Sequence, residues 1–199
     1  MPKVLSIAEV NEFRERLCLA AERLFAERGP EAVTMRQLAA ELGVSPMTPY
    51  RYFRDKDDIL AAVRTKGFNE FAEVLEAARA SVKGAPAKEG AVGEAYLTFA
   101  FGHPQTYKLM FDLEQPCESN YPDLAAAGAR ARGAISGFVS DLIVGGDLTG
   151  DPQELGLMFW AAIHGPVMLE LAGKARPGAA RALNHALFAS LLKGLRADA

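Results

Sequence analysis

The sequence predicts an all-α chain. Three observations carry that prediction: apolar residues recur every three or four positions in each long segment, no stretch alternates apolar and polar side chains as a half-buried strand would, and Gly or Pro punctuates the segments. Two helical units follow from the pattern, a small N-terminal helix-turn-helix over residues 1–56 and a larger unit over residues 57–199.

Val10 to Arg28 opens the first unit with Val10, Phe13, Leu17, Ala20, Leu24 and Phe25 on one side, an amphipathic helix that Gly29-Pro30 ends. Thr34, with Gln37 three positions later, reads as a capping box ahead of Met35, Leu38, Ala39 and Leu42, so a second helix starts there. Gly43 suits the left-handed residue that closes it, and Ser45-Pro46 supplies an N-cap and first-turn proline for a third helix. Only Met47 and Phe53 of that helix look like core; Thr48, Tyr50, Arg51 and Tyr52 are kept for a partner. Duplex DNA's major groove admits one α-helix, and phenol, hydroxyl and guanidinium groups reach phosphates and base edges from it. Asp55 then caps a long helix with Asp58, Ile59, Leu60 and Val63 in its first turns, continuing through Phe68, Phe71, Val74, Leu75 and Ala78. Its length predicts a bridge between the two units, able to transmit a displacement.

Lys83-Gly84-Ala85-Pro86 breaks the pattern. Ala87 to Phe101, Gln105 to Leu113, Asp123 to Val144, a segment opened by Asp151-Pro152 and carrying Gly165-Pro166 inside it, and Pro177 to Leu195 are each predicted helical, with a loop over Glu114 to Pro122. The last two are apolar enough that a monomer would expose a large patch, which marks association.

Composition limits the function classes. Half of the 199 residues are apolar, enough for a sizeable core, and no run of 18 apolar residues suggests a membrane span. The N-terminus, with Lys3 followed by Glu9 and Glu12, lacks a secretory signal's apolar core, and Cys18 and Cys117 lack metal-ligand spacing, so a cytoplasmic location is expected. The net charge of −3 is uneven: residues 1–66 hold 11 cationic and 10 anionic side chains, the remainder 11 and 15. Between Thr34 and Lys56, Arg36, Arg51, Arg54 and Lys56 outnumber Glu41 and Asp55, a local field suited to phosphates.

The succession of a first helix ending in FAERG, then T-x-R-x-L-A-x-x-x-G-V-S, Y-R-Y-F and D-K-D-D-I-L, from Phe13 to Val63, resembles the DNA-binding domain of the tetracycline-repressor (TetR) family of bacterial regulators. The resemblance implies DNA contacts from Thr34, Arg36, Gln37, Ser45, Met47, Thr48, Pro49, Tyr50, Arg51, Tyr52 and Lys56. Among these Tyr50, Tyr52 and Lys56 would hold phosphates, Lys56 at the amino end of the bridging helix, while Thr48, Met47, Pro49 and Arg51 would face bases. Pro49 departs from an ordinary recognition helix: it removes a backbone donor and disfavours helical geometry at Thr48, and its ring is a candidate for a thymine methyl.

Downstream, F-W-A-A-I-H-G-P-V at Phe159 to Val167, with H-P-Q-T-Y-K-L-M-F upstream, resembles TetR C-terminal domains of the Trp/His-Gly (WHG) type. That implies a helical ligand-binding and dimerisation domain whose last two helices pair with a second copy. Tyr96, Phe99, His103, Tyr107, Met110, Phe111, Phe159, Trp160, Ile163 and His164 are candidate walls of an apolar pocket, or plain core; both readings are open. His103 reads as a helix start. No two of the three histidines have ligand spacing, so neither metal nor cofactor is expected. Cys117 sits beside Glu118 and near Glu114, whose charges raise a thiol's pKa and predict an inert group; Cys18 reads as helix filler.

The expected function is a dimeric, sequence-specific repressor that binds a palindrome and is released by a small hydrophobic or amphipathic effector. An enzyme that turns over its C-terminal ligand has no nucleophile, phosphate loop or metal cluster in its favour. A helical regulator controlled by a protein partner instead of a metabolite is the remaining alternative.

Overall fold

The computed structural model describes residues 6–112 and 117–196, with backbone alone at residues 85 and 86. Eight α-helices occur among them: α1 Ile7–Arg28, α2 Met35–Glu41, α3 Lys56–Ala80, α4 Ala85–Gly102, α5 Pro104–Phe111, α6 Pro122–Val144, α7 Pro152–Leu171 and α8 Ala179–Gly194. Three short 3-10 turns lie at Pro30–Ala32, Pro49–Arg51 and Glu118–Asn120. The all-α expectation holds, with one isolated bridge between Leu148 and Arg196. Residues 113–116, the end of the helix expected over Gln105 to Leu113 and the start of the loop after it, lie outside the described residues.

Helix α1 starts earlier than the apolar pattern suggested, because Ser6 and Glu9 form a capping box. The Glu9 amide donates to Ser6 Oγ at 3.2 Å and the Ser6 amide to Glu9 Oε2 at 2.8 Å. The expected box at Thr34 and Gln37 is present too, with the Thr34 amide 2.8 Å from Gln37 Oε1 and the Gln37 amide 3.3 Å from Thr34 Oγ1. Gly43 closes α2 at φ 65°, its amide bonding to the Ala40 carbonyl and that of Val44 to Ala39. This pair of bonds is a Schellman motif, and the left-handed φ is what requires glycine there. Asp151 opens α7 by accepting from the Gln153 amide at 3.0 Å, and α7 runs through Pro166 without interruption. His103 is the C-cap of α4, its amide 2.8 Å from the Phe99 carbonyl; the next helix starts one residue later at Pro104.

The chain divides into two compact units, Met1–Gly67 with Gln105–Ala126, and Phe68–Pro104 with Ala127–Ala199. This partition does not coincide with the expected boundary after residue 56, and burial supplies the reason. The first unit's core joins Leu17, Ala21, Leu24 and Phe25 of α1, Met35 and Leu38 of α2, Phe53, Ile59, Leu60 and Val63 to Leu109 of α5. Gly67 admits α5 closely, since a Cβ there would stand 3.0 Å from Thr106 Cγ2 and 3.1 Å from Met110 Sδ. Arg64, 5% exposed, donates through Nη2 to the Met110 carbonyl and to Glu118 Oε1, each at 3.2 Å. Burial lowers its pKa, and the charges of Glu118 and Asp112 oppose that shift. Cutting the first unit at residue 56 would strip it of Arg64, Leu109 and these partners.

The second unit is built on aromatic packing. Phe71 meets Tyr96 edge-on at 5.0 Å, and Phe159 meets Phe138 at 5.3 Å and Phe188 at 5.0 Å. Asp141 of α6 joins Arg79 of α3 and Lys88 of α4, its Oδ2 lying 2.9 Å from Arg79 Nε and 3.2 Å from Lys88 Nζ. Helices α6 and α7 approach closely at Ser136 and Gly156, where a Cβ on the glycine would sit 2.3 Å from Ser136 Cβ.

Candidate nucleic-acid interface

The reading segment follows α2, and it is not the short α-helix expected from Ser45-Pro46. Residues 46–47 form a turn and only Pro49–Arg51 winds, as a 3-10 turn. Pro46 and Pro49 supply no N–H, so most bonds that remain close at i→i−3: Thr48 to the Ser45 carbonyl at 2.8 Å, Arg51 to Thr48 at 3.1 Å and Tyr52 to Pro49 at 3.0 Å. Thr48 is nonetheless helical, at φ −63° and ψ −45°, against the restriction expected before a proline. Ser45 caps weakly, its hydroxyl 3.5 Å from the Met47 amide.

Burial sorts the candidate residues. Thr34, Arg36, Gln37, Ser45, Met47, Tyr50 and Arg51 are exposed, and Thr48, Tyr52 and Lys56 are half-buried. Met47, expected in the core, is 68% exposed, because the turn points it away from the apolar backs of α1 and α2. Pro49 takes the inward position instead. It is buried, which removes its ring as a partner for a thymine methyl and makes it an anchor of the turn. Phe53 is buried as expected. Tyr52 stacks on Phe13 with ring centroids 4.3 Å apart. Lys56 Nζ donates to the Pro30 carbonyl at 2.7 Å and lies 3.9 Å from Glu31, so its ammonium is held against the α1–α2 connection rather than extended.

Neighbouring charges are also spoken for. Arg54 forks onto Asp58, Nε to Oδ2 at 3.0 Å and Nη2 to Oδ1 at 2.5 Å, which raises the Arg54 pKa and lowers that of Asp58 through the same hydrogen bonds. Asp55 accepts the Asp58 amide at 2.8 Å as the cap of α3, and Glu41 pairs with Arg23. Arg36 and Arg51 are exposed and form no ion pair among the described residues. What faces solvent outside any ion pair is therefore two cations, a phenol, a thioether and small hydroxyls on a capped and packed scaffold, with the paired Arg54 exposed beside them. That set can bind phosphates and meet base edges.

Two residues of this region were not singled out from sequence. Phe13 carries the stack on Tyr52, and the Arg14 guanidinium donates through Nη1 to the Tyr52 carbonyl while lying 4.0 Å over the Phe53 ring. Phe13 reads from sequence as one more apolar position of α1, and Arg14 as one more solvated charge.

The effector candidates fall into both units. Tyr107, Met110 and Phe111 belong to the first, where Tyr107 and Met110 are buried and the Tyr107 and Phe111 rings lie 4.9 Å apart. In the second, Phe99, Phe159 and Ile163 are core, His103 is exposed, and Tyr96, Trp160 and His164 form a polar trio. Trp160 Nε1 donates to the buried Tyr96 hydroxyl at 3.2 Å, and that hydroxyl lies 3.2 Å from His164 Nδ1. Indole is donor only, so the phenol oxygen accepts from Trp160, while the direction of its bond with Nδ1 follows the imidazole tautomer; burial lowers the His164 pKa and so favours the neutral ring. Trp160 also borders a groove of about 630 Å³ between α6 and α7, lined by Arg132, Ser136, Gln153, Glu154 and Leu157 among others.

Cys117 departs from expectation. Its pKa is lowered, because the Ser119 hydroxyl and amide both hydrogen-bond the sulfur and outweigh the opposing charge of Glu118; Ser119 Oγ lies 3.1 Å away. Burial raises Cys18 to about 11, in keeping with helix filler. No described helix is long and apolar enough to cross a membrane.

Residues 17–63 match the family model described as bacterial regulatory proteins, tetR family, and residues 90–195, more than half of the chain, match that of the tetracyclin repressor-like C-terminal domain. An uncharacterized HTH-type transcriptional regulator of Mycobacterium tuberculosis is 28% identical over 80% of this chain and 71% of its own length. The HTH-type transcriptional activator FasR of Mycolicibacterium smegmatis is 31% identical over 67% of this chain and 59% of its own. A solved structure of a protein of unknown function from Rhodococcus superposes with a TM-score of 0.80 at 27% identity, covering 92% of this chain and 95% of that one. With a helix-turn-helix scaffold that presents Arg36, Tyr50 and Arg51 to solvent, the chain belongs to the tetR family of bacterial regulatory proteins, DNA-binding transcription regulators rather than enzymes.

Proposed function

We propose that the protein is a dimeric repressor that binds a palindromic operator and leaves it when a small hydrophobic or amphipathic molecule binds the second unit. The observation that carries the DNA contact is the exposure of Arg36, Met47, Tyr50 and Arg51 around a turn whose Pro49 and Phe53 are buried. Thr34, Gln37 and Ser45 stand on the same exposed side of the burial pattern as candidate phosphate partners, with Thr48 half-buried beside Met47. Tyr52 and Lys56 contribute through position: Tyr52 by its stack, Lys56 by tying the start of α3 to the α1–α2 connection.

Dimerisation is supported by the last two helices. Leu183 and Leu187, one turn apart on α8, are 41% and 38% exposed, and Leu157 and Leu169 of α7 are 60% and 49% exposed. Such apolar surface is covered when two copies pair. Two reading heads about one turn of duplex apart (~34 Å) then require a two-fold operator. The groove beside Trp160 and the Trp160–Tyr96–His164 trio support a ligand that is largely apolar with few polar groups, in keeping with the WHG-type resemblance of this segment. FasR is named as an activator, so the sign of regulation is part of the test. Selection of genomic fragments by the purified protein, followed by anisotropy titration of the recovered duplex and a scrambled one, tests the reading. Retention of a palindrome with tight, sequence-dependent binding supports it; equal binding of both duplexes overturns it. Transcription from the recovered promoter, measured with and without the protein, gives the sign.

A further inference from the structure

We infer that Arg14 of α1 is a positioning residue for operator reading, holding the reading turn in place through the backbone of Tyr52; this rests on the proposed DNA contact. The turn cannot fix its own orientation. Pro46 and Pro49 take two N–H donors from a segment of seven residues, and only one bond of α-helical span remains, from Phe53 to the Pro49 carbonyl at 3.0 Å. The chain leaves helical geometry after Tyr52, so the Tyr52 carbonyl has no helical amide to accept from. Arg14 supplies the donor. Its guanidinium bonds that carbonyl and sits over Phe53, Cζ 4.0 Å from the ring centroid, while Phe13 of the preceding position stacks on the Tyr52 ring at 4.3 Å. The end of the turn is thus gripped from one helix at a carbonyl and two rings, and Met47, Tyr50 and Arg51 hang from it. A lysine in place of Arg14 keeps the charge but has no guanidinium to bond the carbonyl and cover the ring at once.

The test uses the full chain with Arg14→Lys, Arg14→Met and Phe13→Leu. Each is titrated by fluorescence anisotropy against the selected operator and a scrambled duplex of equal length at several salt concentrations, with thermal unfolding alongside. Wild-type protein must first discriminate the two duplexes; failure at that step overturns the DNA reading itself and not the role of Arg14. Given discrimination, Arg14→Lys is expected to lose about tenfold on the operator, the order of one misread base pair, with the scrambled duplex little changed and the salt slope intact. Phe13→Leu is expected to move the same ratio in the same direction without altering a charge, and it decides the matter should Arg14→Met fail to unfold cooperatively. Equal losses on both duplexes in Arg14→Met, with a salt slope shallower by about two phosphates, one per copy (~1.8), would make Arg14 a phosphate contact. An unchanged ratio in both Arg14→Lys and Phe13→Leu would show that the turn is oriented without them. Either result overturns the inference.

Discussion

Replacing Gly156 by alanine should destabilise the second unit, although the same exchange at an open helical position stabilises a protein. The new methyl would stand 2.3 Å from Ser136 Cβ and 3.4 Å from Ser136 Cα. Ser136 Cβ is fixed to its backbone, so relief requires α6 and α7 to part by about 1 Å in a core packed like a crystal. Overpacking of this kind costs about 1–3 kcal/mol, and the helical preference of alanine over glycine returns up to ~1 kcal/mol. An approach of 2.3 Å puts the cost at the upper end, about 2–3 kcal/mol, so the net loss is about 1–2 kcal/mol, or roughly 2–8 °C in Tm for a chain of this size. Gly133, exposed on α6 with nothing within 4 Å of its added Cβ, is the control. Gly133→Ala should gain about 0.5–1 kcal/mol. Urea unfolding followed at 222 nm reads both. Adding Ser136→Gly to Gly156→Ala leaves only the 3.4 Å contact and should restore about 1 kcal/mol of coupling in a double-mutant cycle. A Gly156→Ala protein as stable as wild type, or a cycle with no coupling, would refute the close crossing of α6 and α7.

Three further outcomes are expected. His164 has a folded pKa below its ordinary 6.5, so the folded state binds fewer protons; stability is complete above about pH 6.5, falls as pH drops below it, and levels off beneath the folded pKa. Thermal unfolding from pH 7.5 to 5 should show this slope, and His164→Asn, which still offers Tyr96 an acceptor but cannot titrate, should lose that part of it. Leu183→Glu with Leu187→Glu should shift sedimentation from dimer to monomer with the helical signal unchanged; a dimer that persists would place the interface elsewhere. Glu118→Ala removes a partner of the buried Arg64 guanidinium and should lower stability by about 1–2 kcal/mol, while an unchanged urea midpoint would show the pair to be incidental.

Helix existence was legible wherever a cap and an apolar comb coincided, as at Thr34–Gln37 and Asp151. Gly43 was legible because only one backbone conformation ends α2 that way. The reading segment was not, since periodicity cannot distinguish a short α-helix from a turn that has lost two donors to Pro46 and Pro49. The same loss explains Met47 and Pro49: with the segment wound as a 3-10 turn, the proline faces inward, against its expected place at a base, and the methionine outward, against its reading as core. Leu109 and Arg64 were invisible as members of the first unit because their partners lie more than forty positions away. Sequence also counted charges without their pairings, so Arg54 and Lys56 looked as available as Arg36 and Arg51. The Cys117 thiol was misread for a related reason: the nearby carboxylates are visible in the sequence, but the Ser119 contact is not.

Those pairings set how the protein can hold DNA despite a net charge of −3. In the reading head Glu41 is paired with Arg23 and Asp58 with Arg54, while Asp55 accepts the Asp58 amide, so Arg54 is not free to bind a phosphate. Arg36 and Arg51 remain, two cations per head and four in the proposed dimer. Neutralising about four phosphates gives a slope of log affinity against log salt of about −3.6 on B-form DNA. Specific binding must then draw on neutral groups, the Tyr50 phenol, the Met47 thioether and the Thr48 hydroxyl, and should survive moderate salt better than that of a protein reading DNA through many lysines. Removing Arg36 or Arg51 should flatten the slope by about 1.8 in a dimer that loses both copies, whereas Arg54→Ala should leave it nearly unchanged. A wild-type slope steeper than about −7 would mean that other cations, Arg54 and Lys56 first among them, leave their partners for the duplex. The paired arrangement would then describe only the protein free of DNA.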